Sequence, residues 1–158
     1  MLKAWRLKPA GNKKRAFFDR MLTEWFKDGS IGVHYNVTVD VSNGKTKDAI
    51  KATLQENCTD IQPKTPLFMH IFINEMKWGD YFFLCRGKYE ALRVCRFTSE
   101  CYFDDDEKWC GYQHRRRFEV VEVLPEGTVL DTCLIQSMTT KPIDWKQLAL
   151  TAYSCKIS

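Results

Sequence analysis

The sequence predicts an α+β fold: a curved mixed sheet or open barrel with helices packed outside it. Three observations carry that reading. The spacing of apolar residues switches from alternation to a helical period and back again along the chain. The resulting order is strand, helix, strand, two helices, then a run of strands. No internal repeat, low-complexity tract or linker interrupts the 158 residues, so residues 1–158 read as one domain.

The elements follow in order. "LKAWRLK" alternates apolar and basic residues, as a short first strand does. In "NKKRAFFDRMLTEWFKDG", Phe17, Phe18, Met21, Leu22, Trp25 and Phe26 recur at helical spacing, and Gly29 offers a C-terminal stop. "SIGVHYNV" reads as the next strand and "SNGKTKD" as a turn. "TKDAIKATLQENC" is a second helix, capped by Thr46 and amphipathic through Ile50 and Leu54. "PLFMHIFINEM" is a third, with Pro66 in its first turn. "GDYFFLCRG" and "YEALRVCRFTSECYF" are strands joined by a hairpin turn at "RGKY". "DDDEKWCGY" is a polar connection, and "QHRRRFEVVEVLP" is a strand stopped by Pro125. "TVLDTCLIQ" reads as a further strand and "DWKQLALTAY" as a closing helix.

The composition is that of an ordinary globular protein: 44% hydrophobic, 28% charged, with a formal net charge of +4. That charge permits an anionic partner without requiring one. Cys58, Cys85, Cys95, Cys101, Cys110, Cys133 and Cys155 form no C-x-x-C pair and are odd in number. The N-terminal stretch has no apolar signal region and no run reaches membrane-span length, so a cytoplasmic protein with free, mostly buried thiols is expected. Phosphate-loop, nucleophile-elbow and zincin motifs are all absent. The run Asp104–Glu107 lacks calcium-loop spacing, and no cysteine has a neighbour that marks it as activated. The residues therefore favour a binding domain over an enzyme, with no metal, cofactor or catalytic group assigned.

Aromatic residues reach 13%, and many fall at strand ends or in adjoining loops: Trp5, His34, Tyr35, Trp78, Tyr102, Phe103, Trp109 and Tyr112. Flat side chains there can sandwich a planar ligand, at about 1–3 kcal/mol per stacked base. Basic residues lie nearby in sequence. Lys13 and Lys14 precede the first helix, and Arg86 and Lys88 flank the hairpin turn. Arg93 and Arg96 lie on one strand, and Arg115, Arg116 and Arg117 on the last. Guanidinium forks beside aromatic loops suit phosphate gripping with base stacking.

The ordered segments resemble the EVE domains and their relatives in the PUA-like superfamily, in particular the N-terminal modules of McrB-type restriction proteins. "AWRLKP" resembles the tryptophan-bearing first strand, and "WFKDGSIGVHYNV" the segment "G-x-I-x-I-G-W". "FINEMKWGDYFFLCRGKYEALRVCRFTSECYF" resembles the aromatic helix, "GD" and hairpin, and "YQHRRRFEV" the strand "Y-x-H-R-R-x-V-x-W". The likeness covers about residues 1–124. The family's cage tryptophan falls here at His34 or Tyr35, its "G-I-G" at "LRVCRF", and its last tryptophan at Val121 or a neighbour.

The resemblance implies a PUA-like (EVE- or YTH-like) fold that reads modified bases in DNA or RNA. One base would leave the duplex and enter an aromatic pocket. Trp5, Tyr35 and Tyr102 are the expected walls, joined by His34, Trp78 and Phe103, with Ser30 or Asn36 meeting the base edge. Lys13, Lys14, Arg86, Lys88, Arg93, Arg96, Arg115, Arg116 and Arg117 would hold phosphates. Alternation sets Arg115 and Arg117 on one face of their strand and His114 with Arg116 on the other, where Arg116 is expected to pair with the Asp104–Glu107 loop. In McrB-type proteins such a module recruits a nucleotide-driven (AAA+ GTPase or ATPase) motor and a nuclease, so the chain is expected to be a reader module, N-terminal in a longer protein. RNA as target, a peptide or small metabolite in the aromatic pocket, and a cysteine-nucleophile enzyme are the alternatives. No membrane partner is expected.

Overall fold

The computed structural model describes residues 4–7, 15–33, 35, 37–86, 90–109 and 111–128. The elements are β1 (Ala4–Leu7), α1 (Arg15–Asp28), β2 (Ser30–Gly32), α2 (Lys47–Asn57), α3 (Thr65–His70), β3 (Tyr81–Arg86), β4 (Glu90–Phe97), β5 (Tyr102–Phe103) and β6 (His114–Val123). The strands form one curled mixed sheet, a half-barrel, in the order β1-β3-β4-β6-β2, with β5 also on β6. Three helices flank it, so the α+β reading with a curved sheet holds. The β1–β3 pair is parallel and every other pair antiparallel.

Local chemistry sets the helix limits. Thr46 Oγ1 accepts from the Ala49 N–H at 3.1 Å and caps α2, while Ile50 and Leu54 are its buried positions. Gly29 ends α1 with φ +72°, donating to the Trp25 carbonyl at 2.8 Å. α1 turns Trp25 wholly inward and sets Phe26 against Phe118 at 5.9 Å. α3 runs on into a π-helical turn, Ile71–Glu75, closed by the Met76 N–H on the Ile71 carbonyl at 2.9 Å.

The strands differ from expectation in two places. Among the described residues of "SIGVHYNV", the strand covers Ser30–Gly32. "YEALRVCRFTSECYF" divides into β4 and β5 around Thr98–Cys101. Thr98 N–H still bonds the Arg117 carbonyl at 2.9 Å, so the second piece continues along the same edge of β6. Register shifts at Leu84/Cys85 and Val94/Cys95 bend the meander and curl the sheet. The turn at 87–89 and the elements expected beyond Thr128 lie outside the described residues.

The core packs against one face of the sheet. Phe82 stacks on Phe97 at 4.5 Å and meets Phe118 edge-on at 5.8 Å. Asp80, 2% exposed, ties β1 to the turn before β3, accepting from Trp5 Nε1 at 2.9 Å and from the Lys77 N–H at 3.0 Å.

Candidate functional site

The N-terminal half of β6 carries β2 on one edge and β5 on the other: Arg115 lies opposite both Gly32 and Tyr102. Directly opposed residues in an antiparallel ladder share a face. One face thus gathers Ser30, Gly32, Tyr102, Arg115 and Arg117, and the other gathers Ile31, Phe103, His114 and Arg116.

On the first face, the Arg115 guanidinium lies 3.5 Å from the centre of the Trp109 ring. It donates from Nε to Ser30 Oγ (2.8 Å), from Nη2 to the Ser30 carbonyl (2.8 Å) and from Nη1 to the Tyr112 carbonyl (3.1 Å). The Ser30 hydroxyl in turn donates to Asp28. Trp109 Nε1 donates to Asp104 Oδ2 at 3.1 Å, and Lys108 Nζ stands 4.9 Å from the same ring. Burial draws the Arg115 pKa down to about 10, opposed by Tyr102, Asp28 and Asp104, so the side chain stays charged at neutral pH. Tyr102 is half-buried, and Arg117 is exposed with its guanidinium 5.8 Å from the Tyr102 ring centre.

Gly32 is required by this packing. A β-carbon there would stand 2.6 Å from the Tyr112 carbonyl oxygen and 3.0 Å from Arg115 Nη1. Gly32→Ala is expected to cost about 1–3 kcal/mol, since backbone on one side and a stacked guanidinium on the other leave no room to yield. An unchanged urea midpoint would contradict this.

On the other face, Arg116 is wholly buried at the end of the α3 helix. It donates to the carbonyls of Phe72 (2.8 Å), Ile73 (3.1 Å), Met76 (2.7 Å) and Ser99 (3.1 Å). These include carbonyls that a helix terminus leaves unmet, and the positive charge suits the negative end of the helix dipole. Its carboxylate neighbour is Glu100 at 3.6 Å, in place of the expected Asp104–Glu107 loop. Burial lowers the Arg116 pKa. His114 Nε2 accepts the Val41 N–H at 3.0 Å, Phe103 meets the ring edge-on at 5.0 Å, and burial pushes the imidazole down to about 4.

The expected site is therefore corrected in several places. Arg115 and Arg116, each 0% exposed, are internal struts and reach no phosphate. Arg86 is held by Glu90 through two hydrogen bonds (2.8 and 3.0 Å) and by Asp19. Arg93 bonds the Leu92 carbonyl and covers Phe26, and Arg96 pairs with Glu119. Of the six described arginines assigned to phosphate, Arg117 is exposed and free of these carboxylates. Ser30 is buried, and its hydrogen bonds go to Asp28 and Arg115. Trp5 belongs to the core at β1, and Tyr35 is stacked on Phe68 at 5.3 Å, with burial raising its phenol pKa. Trp78 is 65% exposed in the turn before β3. Tyr102 and Phe103 point to opposite faces. His34, Asn36, Lys13, Lys14 and Lys88 lie outside the described residues.

What the structure adds to the expected pocket is Trp109 against Arg115, with Lys108 over its ring and Asp104 accepting from its Nε1. Cys95 and Cys101 are both pushed up to about 12 by burial, the reverse of an activated thiolate. Among the described residues no three His, Cys, Asp or Glu side chains converge as a metal site, and no helix is long and apolar enough to cross a membrane.

Residues 5–129 match the family described as "Domain of unknown function (DUF8426)", and the chain belongs to that family. No match was found among curated proteins or solved structures.

Proposed function

We propose that this member of the DUF8426 family is a cytoplasmic nucleic-acid reader of the PUA-like (EVE- or YTH-like) kind, which holds an unstacked, modified base against Tyr102. One observation carries the reading. A half-buried aromatic ring, Tyr102, lies beside an exposed guanidinium, Arg117, on a rigid base formed by the Arg115–Trp109 stack. A ring to stack on and a cation within phosphate reach are the two components of single-base capture. The half-barrel with flanking helices is compatible with a PUA-like fold. DNA is the favoured target, and recruitment of a motor and nuclease through an attached or associated domain is part of the same proposal.

The internal pairing of the other arginines alters the expected energetics. With Arg117 as the described member of the expected phosphate set that no carboxylate holds, and Lys108 paired with Asp106 at 3.8 Å, the slope of log K against log salt is about −1 on duplex DNA. Stacking on Tyr102 then supplies most of the specific binding. The test is a tryptophan-fluorescence titration with modified and unmodified oligonucleotides, since Trp109 lies next to the site. Tyr102→Ala is expected to remove about 1–3 kcal/mol together with the preference for the modification. Arg117→Ala is expected to weaken all oligonucleotides alike. Equal affinity of the wild-type protein for modified and unmodified strands at every salt concentration would overturn the reading. The same shortage of free cations supports a second reading, an aromatic module for a small planar ligand or peptide, which salt-insensitive binding without nucleic-acid affinity would favour.

A further inference from the structure

We propose that the open edge of β6 at Glu119–Val123 takes a strand from a partner protein, an extended segment that alternates apolar and basic residues. The inference stands apart from the reading of the Tyr102 face. β2 lies against Arg115–Arg117, and the Phe118 N–H on the Gly29 carbonyl closes that pairing. Beyond Phe118, β4 covers one edge of β6, and no described strand covers the other. Val120, Val121 and Val123 are 41%, 47% and 62% exposed, three of the four large apolar side chains left exposed among the described residues. A bare strand edge with exposed apolar side chains is what strand addition uses.

The register defines the partner. Glu119 lies opposite Arg96 and Glu122 opposite Val94, whereas Val120 lies opposite Cys95 and Val123 opposite Arg93. The register shift at Val94/Cys95 thus leaves both glutamates on one face and both of these valines on the other. The backbone agrees. Phe118 N–H points toward β2 and Leu124 N–H toward Leu92 of β4, so alternation, with the one extra residue, turns the backbone groups of Val120 and Val123 to the open edge. An incoming strand therefore sets alternate residues against the valine face and the residues between them against Glu119 and Glu122. Residues 118–126 hold three glutamates and no lysine or arginine, in a chain of net charge +4. Arg96 holds Glu119, and Glu122 has no ion pair among the described residues. Opposite charges attract across a ladder and like charges repel, so the second set of residues is lysine or arginine. A second copy of this edge would instead bring four glutamates together. The valine face carries none of the lysines, prolines or inward charges that guard an edge against pairing.

The test measures fluorescence anisotropy of labelled peptides of about eight residues, a common strand length, added to the 158-residue chain. One peptide alternates valine and lysine, one alternates valine and glutamate, and one carries the valines and lysines in separate blocks. The valine–lysine peptide is expected to bind saturably and the other two about ten-fold more weakly, since one reverses the charge pairs and the other loses the two-faced pattern. Val123→Pro removes a donor that faces the open edge and keeps the bonds to β4. Its thermal midpoint should stay near wild type, with the valine–lysine peptide weakened about ten-fold. Glu122→Lys alters no backbone group and is expected to bring the valine–lysine and valine–glutamate peptides to similar affinity. Binding of none of the peptides, equal binding of all, binding unchanged by Val123→Pro, or a lysine preference that survives Glu122→Lys overturns the inference. So does self-association of the wild-type chain in sedimentation velocity that Val123→Pro abolishes, because the edge would then belong to a second copy.

Discussion

Replacing Arg116 with methionine is expected to remove about 3–5 kcal/mol of folding stability, a large share of the 5–15 kcal/mol typical of a domain. The guanidinium serves four carbonyls, from Phe72, Ile73, Met76 and Ser99, in a site closed to water. Methionine replaces the volume and leaves those acceptors without donors. Each unmet buried group costs about 1–3 kcal/mol, less than additively when neighbours relax together. Arg116→Lys keeps the charge, yet a single ammonium cannot span the same fork and should recover less than half of the loss. Glu100→Gln is the contrast. Its side chain is 61% exposed, so removing its charge should change stability by less than about 1 kcal/mol. Urea denaturation of the three variants checks this, and a methionine variant within about 1 kcal/mol of wild type would contradict it.

The second large effect is on pH. His114 falls from 6.5 in the unfolded chain to about 4 in the folded one, through burial, with Asp40 at 3.9 Å acting the other way. Between those values the unfolded state binds the extra proton, so stability rises with pH. The contribution is complete above about 6.5 and is lost as the pH falls toward about 4, a swing on the order of 3 kcal/mol. The chemical reason lies at one atom. Nε2 accepts the Val41 N–H, and a proton there would set two donors against each other. His114→Gln offers an oxygen acceptor that does not titrate, and it should flatten the stability profile between pH 6.5 and 5. A profile in the variant as steep as in wild type would contradict the assignment.

Much of the fold was legible because it follows from period and punctuation. The helical spacing of Met21, Leu22, Trp25 and Phe26, the Thr46 cap and the Gly29 stop are local signals, and the structure keeps each. The break at Thr98–Cys101 was not legible, since nothing in "FTSECYF" reports that β5 needs a bulge to stay on β6. The alternation of "HRRR" was read correctly, with Arg115 and Arg117 on one face and Arg116 opposite. What each face meets was not. That depends on α3 ending at Arg116 and on Ser30 and Trp109 meeting Arg115, contacts that alternation along one strand does not report. For the same reason Trp5, Tyr35 and Tyr102, which look alike as strand-end aromatics, go to Asp80, to Phe68 and to the surface beside Arg117. The arginine run read as a phosphate grip is mainly scaffold, and only its third member faces outward.

The proposed reader takes its oligonucleotide on the Tyr102–Arg117 face of β6. Backbone amide NMR shifts, recorded with and without a single-stranded oligonucleotide bearing one modified base, test it most directly. The predicted result is a contiguous set of shifted amides at Tyr102, Phe103, Gln113 and Arg117, with Arg116 and the α3 amides unmoved. Shifts confined to α2 or to Val120–Val123, with the Tyr102 amide unchanged, would contradict it.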